Sequence, residues 1–129
     1  MTRILIADDS PVMRRTLREI VSRETEYEIC GEAADGEEAV HACAALKPDV
    51  IVLDISMPTM GGLEAAGIIS RDEPETKLIL LTLHTIDKQL IECAQRNGFQ
   101  AVLDKGQGDL LPKVIDVLLC GGTFFTRTD

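Results

Sequence analysis

This chain has almost no aromatic residues. Tryptophan is absent, there is one tyrosine, and aromatics make up 3% of 129 residues. Its core must therefore be built from aliphatic side chains. Basic residues are also in deficit, with 13 Lys and Arg against 22 Asp and Glu and a formal net charge of −9. That balance argues against direct binding to nucleic acid or an anionic membrane, both of which need clustered cations. No apolar run approaches the roughly 20 residues of a membrane span. No leader precedes the first apolar run, so a cytoplasmic chain is expected. Cys30, Cys43, Cys93 and Cys120 have apolar neighbours and no C-x-x-C spacing, and they are read as reduced core residues.

What is present is an alternation. Apolar runs at about 3–7, 27–31, 50–53, 77–82 and 100–104 are separated by helical patterns. That reads as βαβα and predicts a single α/β domain around a parallel sheet. Ser10 and Pro11 suit the start of the first helix, whose stripe is Met13, Leu17, Ile20 and Val21. Asp35 is placed to cap the second helix, with Glu38 three residues on. Gly98 suits a left-handed exit from the fourth helix. Asp109 is expected to cap the last helix, which carries Pro112 in its first turn.

Polar residues follow four of the apolar runs. Asp8 and Asp9 end the first, Asp54 the third, Thr82 the fourth, and Lys105 lies just beyond the fifth. In a parallel sheet these positions share one edge, where open α/β folds bind ligands. Each close carboxylate pair would repel by about 4 kcal/mol at 4 Å and an effective dielectric of 20. Such a cluster calls for a cation. Oxygen-only ligands point to Mg²⁺ or another hard ion. A carboxylate such as Asp54 can attack phosphorus, while Lys105 and Thr82 can meet phosphoryl oxygens. Singly, each residue also reads as a cap, a strand end or a solvated loop residue. Together at successive strand ends they read as a site. His41 is read as a surface residue, His84 as close to the pocket. Gly61-Gly62 and Gly121-Gly122 match no phosphate-binding glycine motif.

The stretches Ile4-Leu5-Ile6-Ala7-Asp8-Asp9-Ser10, Val52-Leu53-Asp54-Ile55-Ser56-Met57-Pro58, Leu81-Thr82 and Leu103-Asp104-Lys105 closely resemble the receiver domain of bacterial response regulators. The resemblance is greatest to the subfamily that usually carries a C-terminal helix-turn-helix. It implies a flavodoxin-like fold, a five-stranded sheet in the order 2-1-3-4-5 with five helices on both faces. It implies a receiver over residues 1–121 and a tail or linker start over 122–129. Asp54 would then accept a phosphoryl group from a histidine kinase or phosphotransfer protein. Asp8, Asp9, Asp54 and the Ser56 carbonyl would hold Mg²⁺, and Thr82 and Lys105 would bind the phosphoryl group.

Two departures stand out against the resemblance. Val102 occupies the place of a switching Tyr or Phe, and a β-branched residue is a poor two-state rotor. Gly106 follows Lys105 where many receivers have proline, so a cis peptide is not expected there. Ser56 and His84 are expected to rim the pocket and tune the phosphate lifetime. Partners are expected to include the kinase and a second copy, with DNA reached only through an output domain absent from this chain. The tail favours a truncated chain over a stand-alone receiver. Two other classes stay open: a phosphate-independent binding module, and an aspartate-nucleophile phosphatase, against which the lack of D-x-D counts. The expectation is a switch, not a turnover enzyme.

Overall fold

A computed structural model describes residues 1–129. Strands β1 (Arg3–Ala7), β2 (Glu28–Ala33), β3 (Val50–Asp54), β4 (Lys77–Thr82), β5 (Ala101–Asp104) and β6 (Phe124–Phe125) form one sheet. Helices α1 (Pro11–Glu24), α2 (Gly36–Leu46), α3 (Gly62–Asp72), α4 (Lys88–Arg96) and α5 (Leu111–Leu119) connect them. The strand order is β2-β1-β3-β4-β5-β6, and every pairing is parallel.

The sheet therefore has six strands rather than five. The sixth comes from the segment read as a tail, and two residues are too few to show a periodic pattern. Phe124 and Phe125 lie opposite Ala101 and Val102. Their rings take opposite faces, as strand geometry requires.

The central strands are buried on both faces, which is why they read as unbroken apolar runs. On one face Leu5, Ile51, Leu53, Leu78 and Leu80 meet α2, α3 and α4. On the other, Ile4, Ile6, Val50, Val52, Ile79 and Leu81 meet α1 and α5. β2 lies at the edge and is only partly covered. Both layers are aliphatic almost throughout, in keeping with the scarcity of aromatics.

Most of the helix signals act as read. Ser10 Oγ accepts the Met13 N–H, and Asp35 Oδ1 accepts the Glu38 N–H. Gly98 has φ +93°. The Asp109 cap is a correction. Asp104 accepts the Gly106 N–H at 2.9 Å and turns the chain straight into a 3-10 segment, Lys105–Leu110. Helix α5 is then entered from helical backbone at Leu110, with no side-chain cap. The cysteines also depart from the reading. All four are free, but only Cys43 is fully buried and Cys120 is exposed.

Candidate functional site

Parallel pairing brings Asp8, Asp54, Thr82 and Lys105 to one edge of the sheet. Asp8, Asp9 and Asp54 offer carboxylate oxygens within 4.8 Å of one another. Asp8 is fully buried, Asp54 is 3% exposed, and Asp9 is open to solvent. The Lys105 ammonium stands 2.9 Å from Asp8 Oδ2 and 3.1 Å from Asp54 Oδ2. It bridges the two buried carboxylates, and the three-carboxylate cluster keeps an excess of negative charge.

Backbone donors orient both buried acids. Asp8 Oδ1 accepts the Ser10 N–H at 2.9 Å, and Asp54 Oδ1 accepts the Ser56 N–H at 3.3 Å. Asp8 Oδ2 is completely buried and has the Lys105 ammonium as its one polar partner. Burial pushes the Asp54 carboxyl above its ordinary value. The hydrogen bond from Lys105 opposes that, and the nearby Asp8 charge adds to it. For Lys105, burial acts downward, but its bonds to Asp8 and Asp54 outweigh it and hold the ammonium's pKa above the usual value.

A pocket of about 330 Å³ opens over this cluster, lined by Asp9, Asp54, Ile55, Ser56, Leu83, His84 and Lys105. Ser56 and His84 stand at its wall. Thr82 does not line it. The Thr82 side chain is fully buried, and its Oγ1 accepts the His84 N–H at 2.9 Å. Val102 lies in the core beneath, 1% exposed, opposite Phe125. His41 is exposed, away from the pocket.

The acid cluster suits a hard divalent cation. Its donors are all oxygens, and three carboxylates share the space with a single ammonium. Mg²⁺ or Mn²⁺ matches that chemistry.

Three supporting residues escaped the sequence reading. Arg14 donates to the Asp8 carbonyl at 2.7 Å and to Glu32 at 2.9 Å, fixing the start of the acidic turn. Gly62 packs on the Asp54 carbonyl, where its doubled-glycine motif was the only signal. Leu83 is 77% exposed at the pocket wall, and no periodicity marks such a residue.

Comparison with known proteins gives the family. The response regulator receiver domain family matches residues 4–116. This chain belongs to that family. A protein-glutamate methylesterase/protein-glutamine glutaminase of Myxococcus xanthus is 43% identical over 110 residues, covering 85% of this chain and 31% of that protein. The response regulator UvrY of Escherichia coli O157:H7 is 38% identical over 106 residues, covering 82% and 48%. This receiver therefore spans about a third to a half of those relatives' length. Among solved structures, a LuxR-family two-component response regulator from Aurantimonas sp. SI85-9A1 superposes with a TM-score of 0.91 at 27% identity, covering 100% of this chain and 92% of that one. The response regulator domain of Thermotoga maritima CheB gives 0.74 at 33% identity, covering 94% and 92%. Receivers are modules of two-component signalling, and no helix here is long and apolar enough to cross a membrane.

Proposed function

We propose that this receiver accepts a phosphoryl group on Asp54 from the phosphohistidine of a histidine kinase or phosphotransfer protein. The observation that carries the reading is the Lys105 ammonium held between Asp8 and Asp54 at the floor of an open pocket. An Asp54 oxygen attacks phosphorus, a P–O bond forms, and the P–N bond breaks. The imidazole leaves with the bonding electrons, and the proton already on its other ring nitrogen makes it neutral. Lys105 then pairs with a phosphoryl oxygen, and Thr82 turns to donate its hydroxyl to another. Asp8, Asp9, Asp54 and the Ser56 carbonyl are the proposed Mg²⁺ holders. The ion supplies positive charge against the phosphoryl oxygens.

The reaction is a switch and not catalytic turnover. Ser56 and His84, at the pocket wall, govern how readily water reaches the acyl phosphate. Val102 is fixed at χ1 and boxed in by Phe125, so it does not supply the rotating aromatic of other receivers. The receiver proper is proposed to be 1–121, with 122–129 its tail. The output is assigned to transcription through a DNA-binding domain outside this chain. Similarity to LuxR-family regulators supports that, whereas the methylesterase relatives support an enzymatic output domain. The working location is the cytoplasm, with a second copy as one partner of the activated form.

Intact mass after incubation with acetyl phosphate and Mg²⁺ tests the reading. One phosphoryl adduct is expected, absent without Mg²⁺ and absent in Asp54→Asn. A folded protein that takes up no phosphoryl group would instead be a phosphate-independent binding module.

A further inference from the structure

The C-terminal segment crosses the β5 edge and reaches the loop that follows Thr82. Thr128 meets Ile86 twice. Its N–H donates to the Ile86 carbonyl at 2.8 Å, and its hydroxyl accepts the Ile86 N–H at 2.8 Å. Ile86 is 2% exposed and shares an apolar cluster with Val102, against which Phe125 packs. The Phe124 N–H is held by the Gln100 carbonyl at 2.9 Å. The loop between Thr82 and α4 is thus tied at one end to the Thr82 hydroxyl, through His84, and at the other to Thr128. Between those ties lie Leu83 and His84, two residues of the pocket wall.

We infer that residues 124–129 form a strap that holds this loop in its unphosphorylated form, with Thr128 as the positioning residue, and that a phosphoryl group on Asp54 loosens it. The inference rests on Asp54 being the phosphoacceptor. Thr82 is buried and does not line the pocket. When its hydroxyl turns toward Asp54 to donate to a phosphoryl oxygen, the bond it accepts from the His84 N–H is pulled with it. The start of the loop then moves while Thr128 holds its end. Val102 has little rotamer freedom with which to absorb that movement. The strap is a short neighbouring element. It is a two-residue strand at an exposed edge followed by exposed residues. Short edge segments that end in exposed residues open at low free energy. Coupling between two sites is reciprocal. If phosphoryl occupancy loosens the strap, loosening the strap must favour occupancy by the same factor.

Beryllofluoride with Mg²⁺ is the probe. Its affinity is measured for the wild type, Thr128→Val, Thr128→Ser and a chain lacking residues 126–129. Amide exchange at Ile86 and Phe124 is followed in the wild type. We expect exchange at both amides to quicken by about 5-fold or more on binding. Thr128→Val and the shortened chain should bind beryllofluoride more tightly by a similar factor, while Thr128→Ser, which keeps the hydroxyl, should match the wild type. Unchanged exchange in a beryllofluoride-loaded wild type, or equal affinity across all four proteins, overturns the strap and leaves Asp54 as phosphoacceptor. Failure of the wild type to take up either beryllofluoride or acetyl phosphate overturns the phosphoacceptor reading and the strap with it.

Discussion

Gly62 lies directly against the carbonyl of Asp54: a Cβ at Gly62 would stand 2.2 Å from that oxygen. The Gly62 N–H also donates to the Ile55 carbonyl at 3.1 Å. The start of α3 is thereby seated on the backbone of the residue at the centre of the pocket. Because the obstructing atom is main chain, no rotamer change can relieve the clash. Gly62→Ala should destabilise the fold by about 1–3 kcal/mol, the usual range for overpacking. It should also slow adduct formation on Asp54 in the fraction that folds. Urea unfolding and intact mass measure the two effects separately. A variant with wild-type stability and wild-type labelling would refute the role given to this contact.

Thr59 holds a left-handed backbone, φ +68°, in the loop between Asp54 and α3. A β-branched residue is strained there by about 1–2 kcal/mol. Glycine removes the strain and gives back part of the gain in chain entropy. Thr59→Gly should therefore raise unfolding free energy by about 0.5–1 kcal/mol net. A fall in the denaturation midpoint would contradict this.

Burial raises the pKa of Asp54 above its ordinary 3.8, with the Lys105 bond opposing and the Asp8 charge reinforcing the shift. A carboxyl raised on folding adds stability that is complete below the ordinary value and lost as pH rises through the folded one. In a chelator, the stability of the wild type relative to Asp54→Asn should thus fall as pH is raised from 4 toward neutrality. Mg²⁺ should reverse the loss near neutral pH, by about 2.7 kcal/mol at a hundred times its Kd. Thermal unfolding with and without Mg²⁺ reads both. A metal that leaves the wild-type midpoint unmoved would remove the cation site.

Tyr27 donates its hydroxyl to Asp116 on α5. That bond, with burial and the Asp116 charge behind it, pushes the phenol up to about 12. The associated stability is fully present below the ordinary value near 10 and disappears as pH rises through about 12. Tyr27 is the only tyrosine and there is no tryptophan. Absorbance at the phenolate band therefore reports it without interference. Asp116→Asn should bring the titration back toward 10. A normal midpoint in the wild type would show that the bond does not persist in solution.

Much of the fold was legible because its elements are locally encoded. Ile4, Val52 and Leu80 sit in continuous apolar runs, since strands buried on both faces leave no polar alternation. Ser10, Asp35 and Gly98 mark helix ends through bonds or φ values that depend on near neighbours in the chain. The site was legible in outline for a related reason. Asp8, Asp54, Thr82 and Lys105 each follow an apolar run, and parallel pairing carries such positions to one edge.

What the sequence by itself determined is this local order: the aliphatic strands, the helices between them, and the kinds of side chain that end each strand. Tertiary structure alone decided how those side chains share the edge. Lys105 joins Asp8 to Asp54 and leaves Asp9 in the open, because burial and partner choice depend on residues distant in sequence. Thr82 is buried off the pocket, its hydroxyl accepting a bond from the next loop. Phe124 and Phe125 become a sixth strand only because the β5 edge offers an unpaired ladder beside Val102. Such pairings have no periodic signature, and they place the tail where it can hold the loop beside the site.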